Sequence, residues 1–280
     1  MGELNQWLPI IGQWLPIIGA LVVAGMLAGT LAGLLGVGGG IINVPALYFL
    51  FQYFGVEAAH AMVIATGTSL AAIIPTSLSS IRSHHQRGNI DWPLIKRWLV
   101  FMVAGVLLGS WLVTQLDGRF FTLLFAFVAL FMAFNLYCRS ASAAFFETLP
   151  PMPYQGLLGS MIGFISVMVG IGGGTLGVSI LTACNVAMHR AVGTSAAFGL
   201  LISLPGAIVL LLFANTPIDA PVGTWGYING LALLVLIPLS VAFAPVGVYL
   251  GSTLDGNKLK KVFAILLAIT ALRMLIQAFL

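Results

Sequence analysis

Long apolar stretches, separated by short polar or Gly/Pro-rich stretches, occupy most of the chain. Because a membrane-spanning helix needs about 20 apolar residues, these stretches predict ten helical segments in two groups of five. Each group starts with a broken or short helix pair around a glycine run, typical of half-helices or a re-entrant hairpin, and continues with three spanning helices. The segments are expected near 17–35, 41–54, 58–81, 92–115 and 119–138, and near 155–169, 171–185, 190–214, 226–250 and 258–280.

Composition points to the same class, an all-α polytopic membrane protein. Of the 280 residues, 60% are hydrophobic and only 6% are charged, against about a quarter charged in an ordinary soluble domain. So few charges cannot cover a globule in water, which excludes a soluble enzyme, whereas a bilayer needs charge only at its two surfaces. The net charge of +4 comes from basic residues at segment ends. We therefore expect a lipid bilayer, and no nucleic acid, as partner.

The two groups of segments are internal repeats. Three ordered anchors support this interpretation: GVGGGIINVPAL at 36–47 matches GIGGGTLGVSIL at 170–181, GTS at 67–69 matches 193–195, and GVLLGS at 105–110 matches GVYLGS at 247–252. Leu-Asp-Gly follows the last anchor in both copies. We predict one membrane domain with an interfacial lead-in at 1–16, a first repeat at 17–140, a linker at 141–153 and a second repeat at 154–280.

Charge orients the two repeats. If the loop 82–97 is cytoplasmic, only Arg119 and Arg273 of the eleven Lys and Arg residues fall outside, as the positive-inside rule requires. Both termini are then outside, and the second repeat is inverted relative to the first. This is the architecture with which many secondary transporters open alternately to either side. The basic residues expected inside are Arg82, Arg87, Lys96, Arg97, Arg139, Arg190, Lys258, Lys260 and Lys261.

The paired glycine runs are the candidate binding site. Successive glycines can leave helical geometry and expose backbone N–H groups that lipid cannot satisfy but a bound anion can. Half-helices beginning at Ile41 and Thr175 would add the positive ends of their dipoles, and neighbouring hydroxyl and amide groups would complete the shell. The alternative is that these small residues only allow close helix packing. The candidate ligands are Gly38, Gly39, Gly40, Asn43, Thr68, Ser69, Gly172, Gly173, Gly174, Thr175, Thr194 and Ser195.

The remaining chemically active residues indicate little more. His60 and His189 precede the two GTS motifs, so they are either a gate or proton relay or ordinary interfacial residues at helix starts. Cys138 and Cys184 are the only cysteines and form no metal-binding pattern, so we expect packing thiols, no metal and no cofactor.

The glycine, GTS, LGS and LDG motifs together resemble the sulfite exporter TauE/SafE family, also called the 4-toluene sulfonate uptake permease family. The resemblance covers most of the chain. It implies a bacterial inner-membrane carrier for sulfite, sulfoacetate or another organosulfonate. The family motifs fall here on Gly38, Gly39, Gly40 and Pro45, and on Gly172, Gly173 and Gly174, with Ser179 standing in the second copy where the first has Pro45.

The leading hypothesis is a secondary transporter, not an enzyme, that exports a sulfur-containing anion by alternating access. The alternative within the class of transporters is uptake of sulfate or thiosulfate. A passive channel or a membrane scaffold is an alternative from another class. An intramembrane serine hydrolase that uses Ser69 or Ser195 with His60 or His189 is disfavoured, because the chain lacks a GxSxG nucleophile elbow. Proton coupling and a homodimer stay open.

Overall fold

The structure is a computed structural model that describes residues 19–34, 38–138, 146, 148–253 and 256–279, with the backbone alone at 251–253, 256–260, 262 and 263. The predicted lead-in at 1–16 and most of the linker lie outside the described residues. Within these ranges, ten helices and one hairpin of two two-residue strands account for most of the described residues. They are α1 Gly19–Leu34, α2 Gly40–Tyr53, α3 Ala58–Gln86, α4 Trp92–Gln115, α5 Gly118–Cys138, α6 Met152–Val169, α7 Gly174–Ala183, α8 Met188–Leu212, β1 Thr224–Trp225, β2 Ile228–Asn229, α9 Gly230–Thr253 and α10 Gly256–Phe279.

The predicted all-α polytopic fold is confirmed. In the described part of the chain, six helices are long and apolar enough to cross a membrane, namely α3, α4, α5, α6, α8 and the 230–250 part of α9. The element between α8 and α9 differs from the expectation of a helix starting at residue 226. A hairpin occupies 224–229, with Thr224 paired to Asn229, and it precedes α9 because Asn229 Oδ1 accepts the N–H of Ala232 at 2.9 Å as an N-cap.

The first helix of each group packs on the fourth helix of the other group. Gly29 of α1 lies against the backbone of Ser240 in α9, and Gly163 of α6 lies against the backbone of Met102 in α4. Both contacts are backbone to backbone, which only a residue without a side chain permits. Between these pairs, α3 and α8 pack against each other in the centre, while α5 packs on α10. Some contacts of one group thus have a counterpart in the other: α1 with α9 and α6 with α4, α2 with α3 and α7 with α8, and α3 with α9 and α8 with α4.

Aromatic packing holds the centre of the bundle together. Trp98 of α4 is fully buried and its ring stacks on that of Phe198 in α8 with centroids 5.5 Å apart. Its indole Nε1 donates to Oε1 of Gln155 in α6 at 3.0 Å, so the only polar atom of the indole is satisfied. One buried side chain therefore joins α4, α6 and α8.

Two sets of polar contacts define the two ends of the bundle. At the first end, Arg190 Nη2 lies 3.0 Å from Asp91 Oδ2, and Arg87 Nη1 donates to the carbonyl of Val248 at 3.2 Å. At the second end, His60 at the start of α3 contacts Asp219 in the loop between α8 and the hairpin. The loop 82–97 thus lies with Arg190 at one end of the bundle, and which end faces the cytoplasm stays a prediction.

Candidate functional site

Both glycine runs interrupt the helices, as the sequence predicts. Gly38 and Gly39 have φ of 73° and 78°, and Gly172 and Gly173 both have φ of 72°. This left-handed conformation is disfavoured for residues with a side chain, so glycine is required. Gly39 and Gly173 are the N-cap residues, and α2 and α7 begin one residue earlier than expected, at Gly40 and Gly174.

The two breaks meet inside the bundle. The α-hydrogen side of Gly40 faces the second break so closely that a Cβ there would lie 2.8 Å from Ile171 Cα and closer still to the carbonyl oxygen of Gly170. Ser69 of α3 donates its hydroxyl to the same Gly170 carbonyl at 2.8 Å, in a buried position. The start of α2 and the end of α6 are thus held in contact, with the predicted site residues Gly40 and Ser69 at the contact.

Ile73 of α3 fills the space between the breaks. The side chain is fully buried. A Cβ at Gly38 would lie 3.1 Å from its Cγ2, one at Gly40 would lie 2.9 Å from its Cδ1, and one at Gly172 would lie 2.8 Å from the same atom. Ile202 of α8 touches Gly173 in a similar way. Two isoleucines, one from each central helix, therefore cover the glycine runs with apolar surface in this conformation.

Buried hydroxyl groups surround the same region. Thr66 Cα lies 3.0 Å from the Cβ position of Gly170, Ser77 Oγ lies 2.6 Å from that of Gly199, and Ser195 Oγ lies 2.7 Å from that of Gly177. Their oxygens have no hydrogen-bond partner among the described residues, which is uncommon for buried polar atoms. The same holds for Asn43 Oδ1 and Thr175 Oγ1, both in the first turns of α2 and α7. Of the predicted ligands, Asn43, Thr175 and Ser195 thus have side-chain oxygens without a hydrogen-bond partner in the described part of the chain.

Thr68 and Thr194, two further predicted ligands, contact the loops before α9 and α4. Thr68 Oγ1 accepts the backbone N–H of Asn229 at 2.9 Å, and Thr194 Oγ1 accepts that of Asp91 at 3.0 Å. Asp91 in turn caps α4 by accepting the N–H of Leu94 at 3.1 Å, just as Asn229 caps α9. The structure therefore gives these threonines matching architectural contacts, and their contact with substrate stays a prediction.

His60 and His189 lie away from the breaks. Each stands 13 residues before the isoleucine that covers a glycine run, Ile73 or Ile202, which corresponds to about 20 Å along a helix. His60 Nδ1 is 2.6 Å from Asp219 Oδ1, and His189 is exposed. Their predicted part in a gate or proton relay would have to act over that distance. Among the described residues, no three His, Cys, Asp or Glu side chains gather to hold a metal ion.

The contacts of Asp219 fix the ionisation of its carboxyl group. Its Oδ2 accepts the backbone N–H of Glu57 at 2.7 Å while its Oδ1 contacts His60. Partial burial alone would raise the pKa of Asp219, but the Glu57 N–H and the His60 ring outweigh it and hold that pKa below its usual 3.8. An ionised Asp219 thus ties the 213–223 loop to the start of α3.

Sequence patterns had not indicated Ile73, Ser77 or the capping residues Asp91 and Asn229. The alignment of the two GTS motifs carries one usable signal, because it matches Ser77 with Ser203. Both hydroxyls are buried and without a partner in the described part of the chain. A polar residue at matching positions inside two apolar helices was therefore detectable, whereas a buried isoleucine in an apolar helix was not.

Apolar helices, six of them long enough to span a bilayer, and two breaks that meet in the interior define a multi-pass membrane protein. The chain belongs to the sulfite exporter TauE/SafE family, whose model matches residues 21–274. The resemblance predicted from the motifs is thereby confirmed.

Relatives of known name agree with this assignment. A probable membrane transporter protein of Haemophilus influenzae is 31% identical over 257 residues, covering 91% of this chain and 97% of the relative. A probable membrane transporter protein of Methanocaldococcus jannaschii is 29% identical over 262 residues, covering 91% and 94%. A third, YunE of Bacillus subtilis, is 27% identical and covers 78% and 82%. No solved structure matches the chain. Family and relatives together indicate a membrane transporter and point away from an enzyme.

Proposed function

We propose that this protein is a secondary transporter that exports a sulfur-containing anion, such as sulfite, sulfoacetate or another organosulfonate, across the bacterial inner membrane by alternating access. The observation that carries the proposal is the contact of two glycine breaks in the buried interior, each of which leads into the N-terminus of a short helix, α2 or α7. The first N–H groups of a helix have no intrahelical partner and carry the positive end of its dipole. Two such ends at one place favour a bound oxyanion.

The neutral character of the interior supports a transport role over tight storage. The buried polar residues in the described ranges include Ser, Thr, Asn, Gln and one His, with no Asp, Glu, Lys or Arg. Backbone dipoles and hydroxyls stabilise an anion less strongly than a fixed cation does, so release stays fast. A membrane potential negative inside contributes about 2.3 kcal/mol per charge per 100 mV toward expelling an anion. Export therefore needs no coupling ion.

The exchange of contacts between the two groups supports the proposed pair of inverted repeats. The contact of α1 with α9 corresponds to that of α6 with α4, as expected if a twofold axis in the membrane plane relates the groups. In that arrangement the end with the loop 82–97 is cytoplasmic, and both termini are outside. Ile73 and Ile202 close the site in the occluded state, and the substrate enters when α3 and α8 move apart.

Transport by purified protein in proteoliposomes tests the proposal. Vesicles loaded with radiolabelled sulfite or sulfoacetate should show saturable efflux that an inside-negative potassium diffusion potential accelerates, and saturable counterflow at zero voltage. If the vesicles instead take up sulfate or thiosulfate and need an imposed proton gradient to do so, the protein is an importer of these anions and not an exporter. Flux that does not saturate would indicate a channel, and the absence of flux for sulfite, sulfoacetate, taurine, sulfate and thiosulfate alike would refute a sulfur-anion carrier.

A further inference from the structure

A groove opens between α2 and α10 on the outer surface of the bundle. It encloses about 320 Å³ and is lined by α2 from Ile41 to Phe49 and by α10 from Leu266 to Arg273. Its lining is aliphatic except for Phe49, Thr270 and Arg273. Ile269, one of its lining residues on α10, is 63% exposed, so the groove faces the lipid rather than the interior.

Arg273 is a cation in this apolar setting. Its guanidinium carbon lies 4.6 Å from the centre of the Phe49 ring, a cation–π contact. None of the ion pairs between described residues includes Arg273. A positive charge within an apolar membrane helix is costly unless it reaches the interface or meets an anion. The groove thus offers one unneutralised charge beside its apolar walls.

The polar and apolar ends of the groove lie at different depths. Phe49 is four residues before the end of α2 and Arg273 is six before the end of α10, which places both about 6–9 Å from the helix ends. If the helix ends lie at the bilayer surface, the long side chain of Arg273 reaches the headgroup region. From there the groove reaches Ile41, eight residues deeper, or about 12 Å. An occupant that fits must therefore carry an anion at one end and a hydrocarbon chain at the other.

We propose that this groove binds an anionic phospholipid, with one acyl chain along α2 and the phosphate of the headgroup against Arg273. Charge complementarity selects the anionic lipid, because a zwitterionic headgroup brings a cation that Arg273 repels. The bound chain ends beside Ile41, in the first turn after the glycine break. The lipid therefore packs against the half-helix that begins at the candidate site, whatever anion is transported.

Native mass spectrometry of the purified full-length protein, titrated with phosphatidylglycerol or phosphatidylcholine of identical acyl chains, tests this assignment. Wild type should retain phosphatidylglycerol about fivefold better, the preference typical of one basic residue at the membrane surface. Arg273→Gln should abolish that preference. The matched control is Arg119→Gln, since Arg119 is an exposed arginine at the same end of the bundle and its loss should leave the preference unchanged.

A second variant tests the groove itself. Ala46 is a small residue in its wall, so Ala46→Phe should reduce retention of both lipids while Arg273 remains. Equal retention of the two lipids by wild type would overturn the proposal. So would a loss of the phosphatidylglycerol preference in Arg119→Gln as large as in Arg273→Gln, or unchanged lipid retention in Ala46→Phe. A peak at twice the protein mass with no lipid attached would also overturn it, because a second copy of the chain would then cover the groove.

Discussion

Gly40→Ala is the sharpest perturbation that the structure offers, because it adds one methyl group where the two breaks touch. The new Cβ would lie 2.8 Å from Ile171 Cα and 2.9 Å from Ile73 Cδ1, and it would collide with the Gly170 carbonyl. Two of these three neighbours are backbone atoms, which cannot rotate away. The φ of Gly40 is not among the positive values, so alanine suits the helix and gains about 0.5–1 kcal/mol from propensity. The collision is therefore the only unfavourable term.

Overpacking of this kind costs about 1–3 kcal/mol and pushes the two breaks apart. If that cost falls on the conformation that binds substrate, counterflow of labelled sulfite should fall by about 5- to 150-fold, with the protein still folded and inserted. Gly159→Ala is the matched control, since a Cβ at this helical glycine would make only ordinary contact, at 3.4 Å from Met102 Cγ. Counterflow in Gly40→Ala equal to that in Gly159→Ala would refute a binding site at the meeting of the breaks.

Three other perturbations give distinct outcomes. Ile73→Ala should lower the free energy of unfolding by about 2–5 kcal/mol. Because it uncovers the breaks, it should also let substrate leak through the protein in proteoliposomes without saturation. A leak no larger than that of wild type would contradict the role of Ile73 in closing the site. Thr194→Val should cost about 1–3 kcal/mol of stability because it leaves the Asp91 N–H unpaired, and a raised KM at unchanged melting temperature would instead assign Thr194 to the substrate. Because the pKa of Asp219 is lowered in the folded state, its stabilising contribution is complete above pH 3.8, the pKa of the unfolded carboxyl, and is lost as the pH falls through the lower folded pKa. A melting temperature that varies with acid pH identically in Asp219→Asn and wild type would exclude a stabilising contact of Asp219 with Glu57 and His60.

Local signals in the sequence were enough to predict the helices and their breaks. Apolar length locates the spans, and GxGGG locates the left-handed turns because only glycine adopts a φ near 72° without strain. Contacts between distant residues left no comparable signal. Thr194 accepts from Asp91 across 103 residues and Thr68 from Asn229 across 161, so the capping role of the GTS threonines required the folded chain.

The positions of the glycine breaks could be predicted, whereas the side chains that cover them could not. Gly38–Gly40 and Gly172–Gly174 stood out by residue type, and the structure brings the two runs together. Ile73 could not be recognised, since isoleucine in an apolar helix is unremarkable until its neighbours are known. The repeat nevertheless aligns Ile73 with Gly199, a large residue against a small one, which is a difference in side-chain volume that a search for unequal repeat positions could detect.

The packing of α1 on α9, a helix of the other group, affects how the protein is made. Ser240 Oγ donates to the carbonyl of Gly25 at 3.2 Å, across 215 residues. Ribosomes add about 5–20 residues per second, so α1 waits roughly 10–40 s for α9 to be synthesised. During biogenesis the glycine-rich face of α1 must therefore stay in the bilayer or at the insertion machinery until α9 is made, without the helix that it packs against in the finished protein.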